Sequence, residues 1–161
     1  MSEIVSFNEA KTLIQKWANL FDAHASPETI YRYTAGEDFA IQFQDLVYRG
    51  LAGLREHDQL KSVFFEERHL YYNFQIVDSG PPLTLETQMV WEAYKALPDK
   101  PSGEHLIADL RHRWKFSRKT SDGEPVFLHH ELLELNYREG FAPLTSDPSR
   151  LHTDGSRVGM K

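Results

Sequence analysis

Eight histidines and no cysteine define the chemistry open to this chain. Imidazole exchanges a proton near neutral pH, and a carboxylate on its second nitrogen fixes the tautomer and stabilises the charged form. Such a pair can remove an acidic proton next to a carbonyl, or one anti to a leaving group. Without cysteine there is no disulfide, thiolate nucleophile or thiolate metal site, which fits a cytoplasmic location. His129-His130-Glu131 has the residue types of a metal site. Adjacent strand residues point to opposite faces, however, so both histidines cannot reach one ion without a bulge, and no metal is expected. Neither a glycine-rich phosphate loop nor a nucleophile elbow is present, and no cofactor is expected.

The elements that must position these residues change character near Phe65. Before it, apolar residues recur at helical spacing. Phe7 to Asp22 carries Leu13, Trp17, Leu20 and Phe21 on one stripe, and Ser6 with Glu9 has the form of a capping box. Ser26-Pro27-Glu28 starts a second, short helix that ends near Gly36. Phe39 to Tyr48 holds two short strands around Gln44-Asp45, and Leu51 to Phe65 is helical again.

After Phe65 come four long strands. The first, Glu66 to Val77, is rich in aromatic and β-branched residues, and Leu83 to Ala96 follows it. Leu106 to Arg118 alternates, with Leu106, Ala108, Leu110, Trp114 and Phe116 on one face and His112 among them. Ser121-Asp122-Gly123 turns the chain into Val126 to Tyr137. Short turns make an antiparallel meander the economical topology. Helices first and a sheet afterwards predict an α+β class, with N-terminal helices packed on a strongly curved, mainly antiparallel sheet that encloses a cone-shaped pocket. Residues 1–140 are expected to form one domain, and 141–161 a C-terminal extension, partly extended or disordered.

Composition narrows the partners. The 161 residues suit one domain, and the net charge of −6 disfavours nucleic acid as the main partner. No apolar run approaches the roughly 18 residues that cross a bilayer, and Met1 to Phe7 lacks the regions of a signal peptide. Neither a membrane nor a nucleic acid is therefore an expected partner.

This order of elements resembles the nuclear transport factor two-like superfamily, also called SnoaL-like or cystatin-like, over Phe7 to Tyr137. Trp17-Ala-Asn-Leu-Phe-Asp22 at the end of the first helix and Arg68-His69-Leu-Tyr-Tyr-Asn73 on the first long strand strengthen the likeness. In the branch that includes scytalone dehydratase and hexachlorocyclohexane dehydrochlorinase, an aspartate ending the first helix orients a histidine on that strand, which removes a substrate proton. The resemblance implies that role for Asp22 and His69. Two departures narrow it. Ile41-Gln42-Phe43-Gln44 lacks the catalytic aspartate of ketosteroid isomerases, and Trp17 stands where some relatives have a tyrosine, so it cannot be a general acid.

Each candidate has a plainer alternative. His69 at a strand start can bond backbone or lie at a dimer interface. Asp22 can be solvated or cap the next helix, although a carboxylate at a helix C-terminus costs about 0.3–1 kcal/mol. Asn73 shares the face of His69 and Tyr71 but lies roughly 13 Å from His69 along a strand, so it either holds the far end of a ligand or bonds across strands. Trp17, Phe43, Tyr71, Trp91 and His130 line either a pocket for a ring compound or a packed core.

The expected function is a cofactor-independent lyase or isomerase, dehydratase-like, acting on a hydrophobic or polyketide-like substrate held in the cone. The alternative is a non-catalytic ligand-binding module, or an accessory subunit akin to the small subunit of a ring-hydroxylating dioxygenase. A sheet face that still carries large apolar side chains predicts a homodimer.

Overall fold

The computed structural model describes residues 4–143. Helices α1 (Phe7–Asp22), α2 (Pro27–Tyr31) and α3 (Gly50–Lys61) accompany six strands. The short strands are β1 (Ala40–Phe43) and β2 (Leu46–Arg49). The long ones are β3 (Phe64–Asp78), β4 (Leu83–Leu97), β5 (Lys100–Arg118) and β6 (Pro125–Tyr137). They form one curled, unclosed sheet in the order β2-β1-β6-β5-β4-β3. Neighbours pair antiparallel except β1 and β6, which run parallel. The class is α+β, as the element order implies.

Helix α1 begins where its capping box puts it: Ser6 Oγ accepts the Glu9 N–H at 3.1 Å, and Glu9 Oε1 accepts the Ser6 N–H at 3.0 Å. Its apolar stripe buries Leu13, Ile14 and Trp17 against the concave side of the sheet. There Trp17 packs edge-on to Trp114, ring centroids 5.8 Å apart, and to Phe127 at 4.7 Å. Burying each such side chain contributes roughly 1.5–3 kcal/mol.

Bulges curl the sheet. Register shifts interrupt the β3–β4 ladder between Phe65 and Arg68 and between Tyr72 and Gln75. Glu66 and Asn73 lie there with φ of 51° and 54°. An extra residue on one strand bends it and reverses which side chains face in.

Three boundaries differ from expectation. Helix α2 stops at Tyr31 rather than near Gly36, whose own turn is a separate 3-10 segment over Gly36–Asp38. Helix α3 stops at Lys61, where Ser62 Oγ donates to the Gln59 carbonyl and Phe64 already pairs with Lys95. Strand β5 starts at Lys100, not Leu106, because Leu97 pairs with Lys100 in a tight hairpin. Lys-Pro-Ser-Gly has poor strand propensity, and the ladder to β4 overrides it.

The convex face of the sheet corrects a further expectation, since it is largely charged. Glu86 bridges Arg113 at 2.7 Å and Arg111 at 3.2 Å, Glu92 meets His105 at 2.7 Å, and Asp109 meets Arg138 at 2.9 Å. Large exposed apolar side chains in the sheet concentrate on β3: Leu70, Tyr72, Ile76 and Val77. Among the described residues, no helix is long and apolar enough to cross a membrane. The expected C-terminal extension lies, beyond Pro143, outside the described residues.

Candidate active site

Asp22 is the last residue of α1, and α1 packs along β3, so its carboxylate reaches the strand. Asp22 Oδ1 lies 2.8 Å from His69 Nδ1 and also accepts the His69 backbone N–H at 2.9 Å. A carboxylate only accepts, so the ring carries its proton on Nδ1 and leaves a lone pair on Nε2. The His69 side chain is 6% exposed.

A second carboxylate flanks the ring. Glu67 Oε2 is 3.6 Å from His69 Nε2, and Glu67 Oε1 is 3.1 Å from Lys61 Nζ at the end of α3. At 3.6 Å the first contact is electrostatic rather than a hydrogen bond. Glu67 is buried because the bulge at Glu66 reverses the alternation and turns Glu67 inward beside His69. Burial lowers the His69 pKa most strongly; the Asp22 hydrogen bond opposes it, the Lys61 charge adds to it, and the Glu67 and Asp22 charges oppose it. The net shift is downward, so the ring is neutral at neutral pH with Nε2 free to take a proton. Burial also pushes the Tyr71 hydroxyl far above its ordinary value, so it remains a protonated donor.

Of these groups His69, Tyr71 and Lys61 line a cavity of about 100 Å³ on the concave face. Trp17 and Phe21 of α1 and Phe43 of β1 wall one part. His69, Tyr71 and Trp91 come from the sheet, as does His130. Lys61 sits at its margin, over the rings of Trp91 at 4.8 Å and Phe64 at 5.3 Å. Asp22, His69, Trp17, Phe43, Tyr71, Trp91 and His130, all singled out in the sequence, therefore converge on one place. Asn73 does not. It is exposed and donates to Gln88 Oε1 at 2.7 Å on β4, because the bulge at its own position breaks the alternation and returns Phe74, not Asn73, to the core. It is the cross-strand bond that was its plainer alternative.

Four polar residues of the site, three of them lining the cavity and Glu67 beside it, were not among the candidates from sequence. Glu67 and Lys61 were illegible, since a bulge and a helix end place them. His57 stands three residues after Leu54 and three before Leu60 on the inward stripe of α3, and His112 falls within the alternating inward face of β5. Both carried a readable periodicity signal. Burial lowers both to a pKa of about 3, and lowers His130 well below its ordinary value. Among the described residues no cluster of His, Asp or Glu has the geometry of a metal site.

Helices against the concave side of one curled sheet, with a cavity between them, decide the architecture. The chain has the nuclear transport factor two-like, cystatin-like cone fold. An ntf2-like protein with a cystatin-like fold from Novosphingobium aromaticivorans shares it at 15% identity and TM-score 0.52, over 84% of this chain and 83% of that one. A type 2 hexachlorocyclohexane dehydrochlorinase, LinA, aligns at 12% identity and TM-score 0.65, over 86% and 94% of the two chains. A Novosphingobium aromaticivorans protein provisionally assigned as a scytalone dehydratase aligns at 15% identity and TM-score 0.61, over 87% and 93%. No family model matches the sequence, and no curated protein matches it significantly. At these identities the likeness is one of fold. The fold seen here is thus one that the dehydrochlorinase LinA also has.

Proposed function

We propose that the cavity carries out a cofactor-independent elimination or isomerisation on a small hydrophobic ring compound. The observation that carries the reading is the 2.8 Å bond between Asp22 and His69 Nδ1, which leaves the Nε2 lone pair as a base. His69 Nε2 takes a proton from carbon, the C–H electron pair forms the new double bond, and the leaving group departs with its own pair. In an isomerisation the proton returns at another carbon. The imidazolium formed is flanked by Asp22 and Glu67, which offset its burial. Tyr71, on the same wall and roughly 7 Å along the strand from His69, donates a hydrogen bond to a leaving or enolising oxygen. Asp22 acts through His69 and is a positioning residue.

Mass spectrometry of molecules that co-purify with the protein would supply candidate substrates, and absorbance of the new conjugated double bond would read turnover. His69→Gln and Asp22→Asn should each abolish most of it while the protein stays folded; unchanged turnover in both would sink the reading. Retained binding of a ring compound with no turnover in the unmutated protein would instead favour a ligand-binding module.

The reading includes a homodimer across the sheet. Leu70 and Tyr72 on the edge strand β3 pair in register with Val90 and Gln88, beside the charged rows of β4 and β5. Sedimentation velocity should give a dimer that Leu70→Lys weakens; a monomer at all concentrations would remove this part.

A further inference from the structure

The cavity contains more buried polarity than an Asp–His pair needs. Four imidazole nitrogens, His57 Nδ1, His112 Nδ1 and both nitrogens of His130, are buried without a hydrogen-bond partner. The three residues are 9%, 3% and 6% exposed, and all three line this cavity. Buried polar groups are nearly always bonded, so unbonded nitrogens lining one cavity mark where a ligand's polar atom belongs.

The rings are held by stacking. His130 lies against Trp114 with centroids 4.0 Å apart and planes 18° apart, and against His112 at 4.7 Å and 30°. Trp17 meets the His130 ring edge-on at 5.3 Å. Stacked imidazoles cannot hydrogen-bond one another, because their N–H bonds and lone pairs lie in the ring planes. Their edges are left for a third group.

The chemistry of that group follows from charge. Burial keeps all three rings neutral, and a neutral imidazole offers one donor and one acceptor. That pair matches a hydroxyl or a carbonyl. An anion is disfavoured, because among the described residues that line the cavity the one ammonium, Lys61, is already engaged with Glu67, and the carboxylates Asp22 and Glu67 lie beside His69. The volume of about 100 Å³ and the aromatic walls suit a single ring.

We propose that His112 and His130, with His57 from α3, form an oxygen-recognition subsite, so that the substrate is an uncharged monocyclic alcohol or ketone. This deepens the elimination reading and rests on it for the reaction, but not for the binding.

The test is calorimetric titration of the full chain with three near-isosteric probes: p-cresol, p-xylene and p-toluate. p-Cresol should bind about tenfold tighter than p-xylene, with p-toluate weakest. His112→Phe and His130→Phe should each cut that preference to below about threefold without weakening p-xylene. The subsite is overturned if p-xylene binds as well as p-cresol, if p-toluate binds best, if no probe binds, or if both phenylalanine variants keep the preference. Should those variants not fold, ¹⁵N spectra of the histidine rings in the unmutated protein decide. The His112 and His130 nitrogens should shift with p-cresol but not with p-xylene, and a response limited to His69 overturns the subsite. Asp22→Asn should keep the p-cresol preference. Failure of the elimination reading would appear separately, as turnover unchanged in both Asp22→Asn and His69→Gln or as binding without turnover in the unmutated protein.

Discussion

A single oxygen, Asp22 Oδ1, accepts both the ring Nδ1–H and the backbone N–H of His69, at 2.8 and 2.9 Å. The two bonds lock the ring to its own main chain, so the helix end sets tautomer, rotamer and strand position together. That coupling separates the two residues experimentally.

In Asp22→Asn the amide oxygen can still accept the backbone N–H, while a neutral partner holds the ring tautomer and imidazolium less well. Turnover should fall by roughly 10²-fold, and by roughly 10³-fold or more in His69→Gln, with thermal midpoints close to the parent protein in both. Steady-state kinetics beside thermal unfolding would check this; a collapse of the fold in Asp22→Asn would mean that the bond is chiefly structural.

The acid limb of the activity profile should lie below pH 6.5, because burial lowers the His69 pKa and the base fails only when it is protonated. Lys61 pushes that value down and Glu67 pulls it up. Lys61→Met should therefore move the limb to higher pH, and Glu67→Gln to lower pH. Profiles of kcat/KM against pH for the three proteins give the answer, and shifts of the opposite sign would refute the charge assignment.

Acid should destabilise the fold through its buried histidines. His57 and His112 sit at about 3 in the folded protein against 6.5 for a free ring. Above pH 6.5 both states are neutral and contribute nothing. Below it the unfolded chain takes up protons that the folded one refuses, so each ring removes about 1.4 kcal/mol of stability per pH unit down to about pH 3. Urea unfolding at pH 7.5, 5.5 and 4.5 should show this slope, and His112→Gln should flatten it; identical slopes would argue against a neutral buried ring.

Trp114 is fully buried, and its Nε1–H donates to Thr87 Oγ1 at 2.9 Å. Thr87→Val keeps the volume but orphans the indole N–H, which should cost roughly 1–3 kcal/mol in chemical denaturation. Because Trp114 also supports His130, binding of p-cresol should weaken as well.

The helical stripe ending near Asp22, the caps at Ser6 and Ser26, and the alternation of β5 are local signals, since each depends on residues a few positions apart. By themselves they determined an α+β order of elements, a shared face for His112 and Trp114 and a helical stripe for Trp17, while the candidate pair Asp22 and His69 came from the family resemblance. What they could not determine depends on register between strands and on bulges. One extra residue at Glu66 turns Glu67 into the site, and another near Asn73 turns that side chain out of it. The parallel pairing of β1 with β6, the charged convex face and the stacked His112–His130 pair were likewise decided only by the tertiary structure. Each joins segments far apart in the chain, where a shift of one residue reverses every side chain and the sequence carries no mark of it.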